Sequence, residues 1–74
     1  MKVVIWSKYN CTFCEQAKSL LGQRSIQFEE KKIGDGYSKE ELLEEVPNAR
    51  TVPQIIIDGK LIGGFTELKA HLNG

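Results

Sequence analysis

Val3-Val4-Ile5-Trp6-Ser7-Lys8-Tyr9-Asn10-Cys11-Thr12-Phe13-Cys14 is the stretch on whose reading the fold turns. Val3 to Trp6 are apolar and read as a short buried strand. Phe13, Ala17, Leu20 and Leu21 then recur at helical spacing. The only two cysteines of the 74-residue chain therefore sit where a strand ends and a helix begins. A helix start carries backbone N–H groups without intrahelical partners and a partial positive charge. A thiolate there accepts those hydrogen bonds, which lowers its pKa below the roughly 8.5 of a free cysteine. With Cys11 at the N-cap, the amides of Phe13 and Cys14 are the expected donors. Cys14, one turn in, shares a face with Ala17 and Leu21 and is expected to be the more buried. The pair suits thiol exchange, with Cys11 attacking and Cys14 resolving.

Outward from this stretch the chain alternates strand and helix. Strand 1 is predicted at Lys2–Trp6 and helix 1 at Thr12–Leu21, with Gly22 as its C-terminal stop. Ile26-Gln27-Phe28-Glu29 alternates apolar and polar residues, which predicts strand 2 over Gln27–Lys32. Gly34-Asp35-Gly36 is a turn. Ser38-Lys39-Glu40-Glu41 has capping-box form and opens helix 2, whose inner face is Leu42, Leu43 and Val46 and which Pro47 ends. Ile55-Ile56-Ile57 is the strongest strand signal. Asp58-Gly59 turns it into a hairpin returning through Lys60-Leu61-Ile62. After Gly63-Gly64, the stripe Phe65, Leu68 and Leu72 marks a last helix. Trp6 and Phe28 are expected in the core, and Tyr9 beside the cysteine loop. The order is βαβαββα in a single domain, residues 1–74.

Bulk properties narrow the function classes. Ten basic and ten acidic residues cancel, leaving no electrostatic footprint for nucleic acid. No stretch approaches the roughly 18 apolar residues of a membrane span. Both cysteines are used in one CxxC, unlike the several disulfides of small secreted domains, so a cytoplasmic, reducing setting is expected. A CxxC is also half of a zinc site, but a structural site needs four ligands, and the single histidine, His71, lies far along the chain. No metal is expected, and His71 reads as a solvated helix residue. Glu40, Glu41, Glu44 and Glu45 form an acidic run, most simply the exposed face of helix 2.

Two further stretches have chemical potential. In Thr51-Val52-Pro53 a proline stands at the mouth of the most apolar strand, where it cannot donate to a ladder. In Gly63-Gly64-Phe65-Thr66 the glycines permit close backbone approach, and the helix start offers donors to a carboxylate. Together with Cys11-Thr12-Phe13-Cys14 and the preceding Lys8, Thr51-Val52-Pro53-Gln54 and Gly63-Gly64-Phe65-Thr66-Glu67-Leu68 resemble the three signatures of glutaredoxins. The resemblance spans nearly the whole chain. It implies a thioredoxin-like α/β fold: a four-stranded mixed sheet ordered 2-1-3-4, flanked by three helices, with Pro53 cis and facing Cys11.

The same resemblance implies glutathione as co-substrate, and disulfide-containing or glutathionylated proteins as partners of a monomeric enzyme. Carried over by position, Cys11 is the nucleophile and Cys14 the resolving thiol. Thr51, Val52 and Pro53 form the binding edge, where Val52 pairs with the cysteinyl unit. Gly64, Phe65 and Thr66 present amides to the γ-glutamyl carboxylate. Lys8, helped by Arg50, meets the glycyl carboxylate, and Phe13 forms an apolar wall. Three departures stand out. The family's common dithiol motif has Pro where Thr12 stands and Tyr where Phe13 stands, and members often carry Asp at the position of Thr66. The absence of that Pro keeps open a dimer holding a two-iron two-sulfur cluster through Cys11 and glutathione. A second alternative is an electron donor to ribonucleotide reductase, itself reduced by thioredoxin reductase.

Overall fold

A computed structural model describes residues 1–73. Seven elements follow one another: β1 (Val3–Lys8), α1 (Thr12–Gln23), β2 (Glu29–Ile33), α2 (Lys39–Glu45), β3 (Gln54–Ile57), β4 (Lys60–Gly63) and α3 (Phe65–Asn73). They form one sheet in the order β2-β1-β3-β4. β1 pairs in parallel with β2 and antiparallel with β3, and β3 pairs antiparallel with β4. This is the predicted mixed sheet with its three helices.

Val3 to Ser7 are all buried because both faces of β1 are covered. Side chains alternate along a strand, so one face sends Val3 and Ile5 to Ala17, Leu21, Ile55, Ile57 and Leu68. The other sends Val4 and Trp6 to Leu42 and Val46 of the α2 segment. Phe28 packs against the first cluster from its margin. Trp6 Nε1 donates to Glu45 at 3.2 Å, and Lys31 closes the same carboxylate at 2.8 Å, tying α2 to the sheet.

Element limits shift where polar residues hide the pattern. β1 runs two residues past Trp6, to Lys8, because Ser7 and Lys8 continue the ladder with Lys32 and Ile33. β2 begins at Glu29 rather than Gln27 and ends at Ile33. α1 passes through Gly22 and ends at Gln23, capped by Arg24. The left-handed residue there is Ser25 (φ 57°), with Ser25 N–H on the Gly22 carbonyl at 3.1 Å and Ile26 N–H on the Leu21 carbonyl at 2.9 Å. That pair of bonds is a Schellman closure with serine in the position glycine usually takes. The hairpin turn has positive φ at both Asp58 (51°) and Gly59 (81°), the type I′ form whose twist suits paired strands.

Candidate active site

The register of the central strands assembles the site. Trp6 lies opposite Gln54, so the chain leaving β1 toward the cysteines emerges beside the chain entering β3 through Val52 and Pro53. Asn10, with φ 56°, makes the bend before the helix; asparagine tolerates this left-handed conformation better than most residues. Cys11 then adopts extended N-cap geometry (φ −115°, ψ 102°), and its Sγ accepts the Cys14 N–H at 3.1 Å. No such bond joins Sγ to Phe13 N–H; the Cys14 amide alone takes the expected role. The two sulfurs are joined as a disulfide, with Cα atoms 5.2 Å apart. Cys14 is wholly buried, whereas Cys11 retains 9% of its exposure.

Cys11 Sγ lies 3.6 Å from the Val52 carbonyl oxygen. The Val52–Pro53 bond is cis, and Pro53 is buried. Two cavities meet along Thr51 and Val52. One, of about 340 Å³, is walled by Phe13, Pro53, Phe65 and the start of α3 from Gly64 to Glu67. Phe13 is 60% exposed, with its ring centroid 6.3 Å from that of Phe65. The other, of about 220 Å³, carries Lys8 and Arg50 on the opposite side of Val52. The residues singled out in the sequence outside the cysteine pair thus line two cavities that share Thr51 and Val52, and Val52 is the one whose carbonyl lies against Cys11.

Sequence reasoning missed Glu67 as a site residue. Its carboxylate accepts the Gly64 N–H at 2.8 Å, inside the first cavity. Gly63 permits this: with φ 125°, a Cβ there would stand 2.8 Å from Glu67 Cγ. The available signal was the Gly-x-x-Glu spacing of a half capping box at Gly64. One consequence is that the Gly64 amide is already engaged, which leaves the Phe65 and Thr66 amides as the next donors of the helix start. Another is that Glu67 supplies a carboxylate beside Thr66, which has none. The Tyr9 ring lies against Gly34, with the Lys32 ammonium 4.6 Å from its centroid.

Behind the cysteines, Ser7 is the buried polar residue of β1, and its hydroxyl donates to Glu30 at 2.5 Å. Lys18 bridges Glu30 and Glu15, each at 2.9 Å. Desolvation alone would raise the Glu30 pKa, but the bonds from Ser7 and Lys18 outweigh it and hold the carboxyl below its ordinary value. Burial likewise pulls Lys18 down, and its two carboxylate partners more than reverse that. Among the described residues, no three His, Cys, Asp or Glu side chains gather as a metal site, and no helix is long and apolar enough to cross a membrane.

Comparison with known proteins gives this arrangement its place. Residues 3–62 match the Glutaredoxin family model. The chain belongs to the glutaredoxin family. It is 38% identical over 68 residues to Glutaredoxin 3 of Escherichia coli K12, covering 92% of this chain and 82% of that protein. Its fold superposes on the crystal structure of glutaredoxin 1 from Francisella tularensis, complexed with cacodylate, with TM-score 0.84, 37% identity, and coverage of 97% and 92%. A buckwheat glutaredoxin–glutathione complex matches with TM-score 0.81 at 28% identity, covering 97% of this chain and 69% of that one. As a glutaredoxin-family chain with a CxxC pair at a helix start, it is a thiol–disulfide oxidoreductase.

Proposed function

We propose that this glutaredoxin-family chain takes its electrons from glutathione and reduces protein disulfides and glutathione mixed disulfides. The observation that carries the reading is the position of Cys11 Sγ, 3.6 Å from the Val52 carbonyl, where the two cavities meet. An extended ligand paired with the Val52 backbone has its thiol at Cys11. Its γ-glutamyl end then reaches the α3 start and its glycyl carboxylate reaches Lys8 and Arg50. A solved complex of a buckwheat relative with glutathione supports the assignment.

In the reduced protein, the Cys14 N–H and the partial positive charge of the α1 start favour the Cys11 thiolate. That thiolate attacks one sulfur of a protein disulfide, forming a mixed disulfide and releasing the other sulfur as a thiol. Cys14, as thiolate, then attacks Cys11 Sγ. The second substrate thiol leaves, and the Cys11–Cys14 bond seen here is formed. Two glutathione molecules return the pair to dithiol: the first opens it by forming a mixed disulfide at Cys11, and the second releases oxidised glutathione. A glutathionylated protein needs only Cys11, which takes the glutathionyl group and passes it to a second glutathione. The setting this requires is a reducing compartment.

The test is reduction of a glutathione mixed disulfide coupled to glutathione, glutathione reductase and NADPH. Steady turnover is expected. No turnover with glutathione, while thioredoxin reductase sustains reduction of the pair, would overturn the reading.

A further inference from the structure

The cavity on the Lys8 side of Val52 is larger and more apolar than the glycyl end of glutathione requires. Glycine has no side chain, so its carboxylate can meet Lys8 and Arg50 at the rim while the floor of Ile33, Leu43 and Ala49 stays uncovered. That floor is built by the end of β2, by α2 and by the segment that follows α2. A third cation, Lys39, stands on the same rim, and the lining includes no Asp or Glu. Among the described residues Lys8, Lys39 and Arg50 form no ion pair; the pairs found there involve Lys18 and Lys31. An apolar floor under unpaired cations complements an aliphatic side chain carried next to a negative charge.

We propose that this cavity selects polypeptide substrates in which the reacting cysteine is followed by an aliphatic residue and then an acidic one. The proposal rests on the reading that the substrate cysteine pairs with Val52, which sets the next residue over the Lys8 side. The exchange needs no added reductant. The Cys11 thiolate attacks one sulfur of the peptide disulfide and releases the first peptide thiol. Cys14 then displaces the second, leaving the protein oxidised and both peptides reduced.

The experiment mixes excess pre-reduced protein with symmetric disulfides of three acetylated tripeptide amides, Cys-Leu-Glu, Cys-Gly-Glu and Cys-Leu-Lys, and follows a single turnover by quenched thiol labelling. Oxidised glutathione serves as the reference disulfide. Cys-Leu-Glu should react about tenfold faster than Cys-Gly-Glu, as partial burial of one aliphatic side chain allows. It should also exceed Cys-Leu-Lys by up to about fivefold, a margin that shrinks in high salt. Leu43→Gln should erase the leucine preference and Lys39→Glu the glutamate preference, each read as a ratio of peptide rates within the same variant and normalised to that variant's rate toward oxidised glutathione. Rates within twofold for the three peptides would overturn the proposal on the unaltered protein. So would variants that slow all four disulfides alike. A protein that ranks the peptides but ignores oxidised glutathione would keep the proposal and refute the glutathione reading; the reverse pattern would do the opposite.

Discussion

At the start of α2 the Ser38 hydroxyl accepts the Glu41 N–H at 3.1 Å, and the Glu41 carboxylate returns the favour to the Ser38 N–H at 2.9 Å. At the start of α1 the Cys11 sulfur accepts the Cys14 N–H, also at 3.1 Å. Both caps are extended (φ −116° at Ser38, −115° at Cys11), and both use residues three apart. The spacing of a CxxC is thus the spacing of a capping box. In α2 the partner at the third position is a carboxylate that closes the box and makes it purely structural. In α1 it is a second thiol, which leaves the cap open to chemistry and buries the resolving group in the same turn. Geometry is shared, and the element that accepts the amide decides the function.

The largest effect should come from separating cap from nucleophile. Cys11→Ser keeps an oxygen acceptor at the cap and should leave thermal stability within about 0.5 kcal/mol while abolishing all disulfide exchange. Cys11→Ala should abolish exchange too and cost about 1 kcal/mol more, since the Cys14 amide loses its acceptor. Cys14→Ser should spare turnover of glutathione mixed disulfides and impair reduction of protein disulfides. The converse substitution, Ser38→Ala, should cost about 1 kcal/mol by denaturant unfolding and leave exchange rates unchanged. A Ser38→Ala protein with slowed exchange would show that the two caps are not independent.

Much of this was legible in the chain. The Ser38-x-x-Glu41 and Cys11-x-x-Cys14 spacings, the Asp58-Gly59 turn and the triple isoleucine each carry a local signal that one mechanism explains. The end of α1 was not, because the left-handed position fell on Ser25 while Gly22 stayed helical. Nor was the register of β2. Its Glu29-Glu30-Lys31-Lys32 run has no apolar alternation, because the edge strand holds its place partly through ion pairs to α1 and the end of α2. Glu67 escaped because its role depends on Gly63 having no Cβ, a fact of space rather than pattern.

Those ion pairs give a smaller, pH-dependent contrast between the two helices. Glu30, bound by Ser7 and Lys18, and Glu45, bound first by Lys31 and also by Trp6, both titrate below the ordinary carboxylate value of 4.5. A carboxyl with a lowered folded pKa adds stability that is complete above its unfolded value and disappears as pH falls through the folded one. Stability should therefore drop as pH falls below the ordinary carboxylate value, and Glu30→Gln or Glu45→Gln should flatten that decline in thermal melts. Glu30 should dominate, since its side chain is 27% exposed against 40% for Glu45 and is less screened. The smallest effect is Lys8→Ala, expected to raise the Michaelis constant for a glutathione mixed disulfide by the equivalent of about 0.2–1 kcal/mol, less at high salt. A salt-independent change would remove Lys8 from the site.

The most direct test of the α1 cap is competitive alkylation of the reduced protein near neutral pH, with each cysteine mapped by mass spectrometry across a pH series. Cys11 should be modified first, with a midpoint below the roughly 8.5 of a free thiol, while buried Cys14 lags behind it. Preferential labelling of Cys14, or a Cys11 midpoint at or above that of a free thiol, would contradict the assignment of Cys11 as the attacking thiolate.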